Sequence, residues 1–219
     1  MRDRAAAVAA AGCAAALALV VVTLGVVNPP RPTSIVTDRL GPEGGEPVDG
    51  YLARAGASIG GPDADPRWAL VSLDIEMTAD QAYGLADGVR ISRMLFRVPL
   101  DRVQTQLIGV DVPANQEAVR RSPGVAAGRL QGTAGEWDRQ ARIDAVSAGR
   151  LESGCACVAG MTVRGDLARL RELAARPGVR AVEALPADAV HGRFAVTPLL
   201  PEHIDVVRPG PDDGEVPAR

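Results

Sequence analysis

The stretch Cys155-Ala-Cys-Val-Ala-Gly-Met-Thr-Val-Arg-Gly-Asp-Leu-Ala-Arg-Leu-Arg-Glu-Leu-Ala-Ala-Arg-Pro-Gly-Val-Arg-Ala-Val-Glu-Ala-Leu185 decides the fold class of this chain. Cys155, Cys157, Ala159, Met161 and Val163 alternate as the residues on one face of a strand do. Gly165-Asp166 then opens a helix with Leu167, Leu170, Leu173 and Ala174 on one side, and Pro177-Gly178 stops it. Val179 to Leu185 returns as a strand, and Arg193 to Leu199 follows as another. The order is β-α-β-β.

A similar order precedes it. Ala69, Val71, Leu73, Ile75 and Met77 alternate with Leu70, Ser72, Asp74, Glu76 and Thr78, which predicts a half-buried strand. Thr78 is placed to cap a helix over Ala79–Asp87, and Gly88 to end it. Val89 to Val98 is a strand whose apolar parity changes on the way, the mark of a bulge. Gln104 to Val112 is a third strand, and Pro113 starts a short helix toward Arg121. Val98-Pro-Leu-Asp-Arg-Val103 echoes Leu185-Pro-Ala-Asp-Ala-Val190.

The favoured layout is a duplicated unit, about residues 69–112 and 155–199, joined by a helix over about 133–149. Thr133-Ala-Gly-Glu136 caps that helix, Trp137, Ala141, Ala145 and Ala148 form its stripe, and Gly149 ends it. A second parse makes residues 69–130 one complete β-α-β-β-α-β unit, with Ser122-Pro-Gly-Val125 in the place of Arg176-Pro-Gly-Val179. Either way the expected class is α+β, ferredoxin-like, with helices on one face of a mainly antiparallel sheet.

Gly160-Met-Thr-Val-Arg-Gly-Asp-Leu-Ala-Arg-Leu-Arg-Glu-Leu-Ala-Ala-Arg-Pro-Gly-Val-Arg-Ala-Val-Glu183, within about residues 156–184, resembles the second half of the subtilisin-propeptide and protease-inhibitor module. The resemblance implies a ferredoxin-like fold and the work of a protease inhibitor or folding helper. It carries over no functional residue, since the first half of that module and a following protease domain are not evident in this sequence.

The ends of the chain read differently. Ala5 to Val27 holds no charge, follows Arg2 and Arg4, and ends at Asn28-Pro29-Pro30. At 1.5 Å per residue in a helix such a run spans a hydrocarbon layer of about 30 Å. Residues 1–28 are thus expected to anchor the chain in the cytoplasmic membrane, amino terminus inside and the rest outside. If the leader is cleaved, the protein is secreted. Residues 28–66 hold seven Pro and seven Gly, so 29–66 reads as a tether. The domain is expected over 67–200, and residues 201–219 as a disordered tail.

Composition removes several chemistries. All 24 basic residues are Arg, which excludes a Schiff-base or phosphate-loop lysine. The net charge of −3 and the 3% of aromatic residues argue against nucleic acid as a partner. His191 and His203 are the only histidines, at spacings from Cys155 and Cys157 that fit no zinc pattern, and neither flanks a nucleophile motif. Asp74 and Glu76 share a strand face, as solvated carboxylates commonly do. No catalytic residue, metal ligand or cofactor is expected. Cys155 and Cys157 remain the one pair of interest, either a disulfide or two buried thiols. The resulting expectation is a non-enzymatic, membrane-anchored interaction module whose partner is an envelope protein or a second copy of itself.

Overall fold

The computed structural model describes residues 38–62, 64–131 and 138–218, together with Leu17 and Thr23, both helical. The rest of the expected anchor, and the Thr133–Glu136 capping box, lie outside the described residues. Among the described residues no helix is long and apolar enough to cross a membrane.

Among the described residues from Asp38 on, the elements are β1 (Asp38–Leu40), α1 (Val48–Ser58), β2 (Arg67–Met77), α2 (Ala79–Leu85), β3 (Arg90–Phe96), β4 (Ile108–Asp111), α3 (Gln116–Gln131), α4 (Arg139–Glu152), β5 (Val158–Gly165), α5 (Leu167–Ala174), β6 (Val179–Ala184) and β7 (Phe194–Val196). Five strands form one sheet in the order β4-β3-β5-β2-β6, every neighbouring pair antiparallel. β1 and β7 form a separate parallel pair. The fold is α+β with a mostly antiparallel sheet.

Local chemistry accounts for the helices that flank the sheet. Thr78 and Gln81 form a reciprocal capping box at α2. At α5 the Asp166 carboxylate accepts the Arg169 N–H at 2.8 Å, and Leu167, Leu170 and Leu173 are buried. The β2-α2-β3 and β5-α5-β6 segments do not stand side by side as two units. They interleave, with β5 between β3 and β2. β7 leaves the main sheet, so the second segment contributes two strands to it rather than three. β3 carries register shifts against β5, the irregularity expected from its change of parity.

Several expectations need correction. β2 is not half-buried: Leu70 and Ser72 are as inaccessible as Ala69, Val71 and Leu73. The tether and tail cover that second face. β1 and β7 bring Leu40 and Phe194 against Trp68, Leu70, Leu95 and Leu185. α1 brings Val48, Tyr51 and Ala55 against Ala181, Leu199 and Val207. The helices therefore do not all lie on one face. Residues 38–62 are built structure, because the apolar residues of α1 fall at helical spacing and bury despite the surrounding Pro and Gly. The ordered body also extends past residue 200: the His203 and Val207 side chains are buried, and Val206 bridges to Pro47.

α3 runs through the Ser122-Pro123-Gly124-Val125 that the second parse read as a stop. Pro123 cannot donate to the Val119 carbonyl. The Ser122 hydroxyl donates to it instead, at 2.6 Å, so the helix loses no acceptor to an unpaired state. Gly149 lies inside α4, which ends four residues later than its glycine content suggested, at Ser153 and the left-handed Gly154.

A partly buried ion pair ties residues 38–62 to the sheet. Glu183 on β6 accepts the Gly41 N–H at 2.5 Å and the Arg54 guanidinium of α1. Arg54 also bridges to Glu46 at 3.1 Å. Gly41 has φ +111, and a Cβ there would stand 1.7 Å from the Thr197 carbonyl oxygen, so only glycine brings its N–H to this place. Burial raises the Glu183 carboxyl above its ordinary 4.5, with the Gly41 N–H and Arg54 pulling the other way. A raised carboxyl favours the folded state in acid and loses that contribution as pH rises through its folded value. Arg54→Ala, which leaves the carboxylate buried without its cation, is expected to lower the unfolding free energy by about 1–3 kcal/mol at neutral pH, less than for a fully buried pair because Arg54 is half exposed. Urea unfolding at a series of pH values from neutral downward checks this. The loss should shrink as pH falls through the raised folded-state value of Glu183, where the carboxyl becomes neutral and no longer needs its cation.

Candidate functional site

The corner where α4 turns into β5 brings the two cysteines of the body together. Asp138 caps α4 by accepting the Ala141 N–H at 2.7 Å. The helix buries Ile143, Val146, Ala148 and Leu151 and leaves Arg142, Ala145 and Gly149 on its outer side. Cys155, Ala156 and Cys157 then form a bend before β5 begins at Val158. In a straight strand the two cysteine Cα atoms would be about 6.5–7 Å apart. The bend brings them to 5.3 Å, and Cys155 and Cys157 are joined as a disulfide. Cys157 is buried and Cys155 is half-buried.

Opposite this corner runs the C-terminal strap, residues 209–218. The Asp213 carboxylate makes a two-point contact with Arg102, at 2.8 and 2.5 Å. Asp212 pairs with Arg139 at 2.8 Å and accepts the Gln104 N–H at 3.0 Å. The Gly214 N–H donates to the Arg102 carbonyl at 2.8 Å, and a Cβ on Gly214 would stand 2.4 Å from the Asp101 carbonyl oxygen. Val216 packs against the main core. The expectation of a disordered tail missed this because its acidic residues and prolines read as solvated, while their arginine partners lie 73 and 111 positions away.

Between α4 and the strap lies a cavity of about 840 Å³, within the range that binds small ligands. Arg142, Ala145, Gly149, Arg150, Cys155, Glu215 and Val216 are among the residues that line it. The Arg150 guanidinium donates to the Pro99 carbonyl at 2.9 Å. The Arg142 guanidinium has no ion pair among the described residues. The cavity thus sets a disulfide against an apolar wall and two cations, with one carboxylate on the strap side.

The other residues singled out by sequence lie elsewhere. His191 is exposed and sits over Trp68, ring centroids 4.6 Å apart. His203 is buried in a turn, where its Nδ1 accepts the Leu200 N–H at 3.3 Å, and burial lowers its pKa. Glu76 faces Arg97 at 3.8 Å, and Arg97 also holds Glu202 at 2.6 Å. Asp74 is exposed. Among the described residues no group of three or more His, Cys, Asp or Glu is arranged to hold a metal ion. Arg142, Arg150 and the strap were missed as site components. The one signal for the strap was the Asp212-Asp213-Gly214 turn between Pro211 and Pro217.

Compared with known protein families, curated proteins and solved structures, the chain finds no match.

The strap's hold depends on charge. Contact with Arg102 keeps the Asp213 carboxyl below its ordinary 3.8, and the Gln104 N–H followed by Arg139 does so for Asp212. Lowered carboxyls contribute above their unfolded value and lose that contribution as pH falls through their lower folded values. The Gly214 amide resonance should therefore keep its native shift down to the ordinary carboxylate range and move toward its unstructured position only below it. Asp213→Asn should move that transition or abolish the native shift, and in Gly214→Val the neighbouring Glu215 and Val216 amides should stand at their unstructured positions at every pH.

Proposed function

We propose that this chain is a single-pass, membrane-anchored protein that holds its α+β body outside the cytoplasmic membrane and works there by binding another envelope protein or a second copy of itself, not by turning over a substrate. The observation that carries the reading is the Cys155–Cys157 disulfide. Disulfides persist in oxidising compartments, and the uncharged run Ala5–Val27 behind Arg2 and Arg4 directs the body to one. The interleaved strand order supports a ferredoxin-like body, with the β-α-β segments as its two related halves.

Each edge of the main sheet already has a backbone group taken up by a side chain. Along β6 the Ser58 hydroxyl of α1 accepts the Ala184 N–H at 2.8 Å. On β4 the Gly109 carbonyl accepts from Arg129. Such covering blunts strand addition. We therefore propose the cavity between α4 and the strap as the partner's site, since its lining offers an apolar wall and two cations. A second reading, a protease inhibitor or propeptide-like folding helper, draws on the same strand order, which is the fold implied by the resemblance over about 156–184.

Protease added to spheroplasts carrying the full chain with a C-terminal epitope should remove the epitope without lysis. An epitope that is protected until lysis would contradict the outward placement. In the same cells a photocrosslinking residue in place of Ala145, inside the cavity, should capture a discrete envelope protein or a second copy, and one in place of the exposed Ile204 should not. Stoichiometric inhibition of a subtilisin-like protease by the purified chain would favour the second reading instead.

A further inference from the structure

The disulfide does little as a staple. It joins residues two apart and closes a loop of three, and a loop that short removes little entropy from the unfolded chain. Its surroundings are asymmetric. Cys155 lines the cavity between α4 and the strap, which Arg142 and Arg150 also line, and Cys157 is buried. A guanidinium near a thiol stabilises the thiolate, which is the reactive form. Glu215 is the one carboxylate lining the same cavity among the described residues.

We propose that Cys155–Cys157 is a thiol–disulfide exchange site, a stoichiometric oxidant for a protein or peptide carrying two nearby thiols that enters the cavity between α4 and the strap. This goes beyond the binding role and does not rest on membrane anchorage. A thiolate of the incoming dithiol attacks the Cys155 sulfur. The bond to Cys157 breaks, its electron pair stays on the Cys157 sulfur, and that sulfur takes up a proton. The second thiolate of the partner then attacks the mixed disulfide at the partner's own sulfur, and Cys155 leaves and is protonated. The partner loses two electrons and two protons and gains a disulfide. The protein gains both as two thiols, and a small-molecule disulfide returns it to the oxidised form by the same exchange in reverse.

The test uses the full chain in mild detergent with Cys13→Ala, so that no third thiol takes part. The probe is a short peptide with two cysteines, followed by acid quenching, alkylation and peptide mapping. The protein should oxidise up to one equivalent of peptide, at least tenfold faster than oxidised glutathione at the same concentration, and the mixed disulfide should map to Cys155. With Cys157→Ser, the Cys155 thiol should react with a neutral aromatic disulfide at pH 7 at least tenfold faster than Cys157 does in the Cys155→Ser chain. Arg142→Gln with Arg150→Gln should slow Cys155 severalfold. A disulfide that persists in the presence of the dithiol peptide, or exchange no faster than glutathione, overturns the proposal and leaves the pair a structural link. The peptide experiment needs neither serine variant, so the proposal stays testable if those chains do not fold.

Discussion

The main sheet is apolar on both faces along its central strands, and the rest of the structure answers that constraint. β2 buries Ala69, Val71 and Leu73 on one side and Leu70 and Ser72 on the other. Water on either face would expose a row of aliphatic side chains, each worth about 1.5–3 kcal/mol when buried. α2, α3, α4 and α5 contribute to the core on one face. The other face has no helical layer from the central segments, so the segments before and after them supply it. β1 and β7 pair across Trp68 and Leu70, and α1 lies with Leu199 and Val207 against Ala181.

That division explains which parts were legible in the sequence. α2 and α5 announce themselves because cap, periodic apolar face and stop all occur within a few residues. The α+β class follows from them and from the alternation in β2 and β5. The outer segments carry no such local signal. α1 buries three residues out of eleven, and β1 and β7 are three residues each. Their order depends on partners more than a hundred residues away, as the Glu183–Gly41 contact does. The second face of β2 was misread for a related reason. Ser72 looks like a solvent-facing residue, yet its hydroxyl accepts the Leu199 N–H at 3.0 Å in the interior. Alternation of polar and apolar types distinguishes two faces without saying whether the polar one is wet.

Part of the candidate site was legible as well. Cys155 and Cys157 stand out in any reading, but strand geometry alone left their bonding open, since it is the bend between Gly154 and Val158 that brings them within reach. The cavity they border was not legible. One of its walls is the outer side of α4, where small residues at Ala145 and Gly149 leave room, and the other is the strap, held in place by Arg102 and Arg139. Both walls are products of the same closure that covers the sheet. The C-terminal segment that follows β7 first seals the second face with Leu199 and Val207 and then continues to the α4 corner.

The oxidation state of Cys155 and Cys157 in the full chain, taken directly from intact cells, tests the account at its base. Cells quenched in acid, denatured and alkylated should yield Cys155 and Cys157 joined and unmodified, with Cys13 alkylated. Alkylation of all three cysteines in freshly quenched cells would contradict both the oxidising compartment and the disulfide on which the site is built.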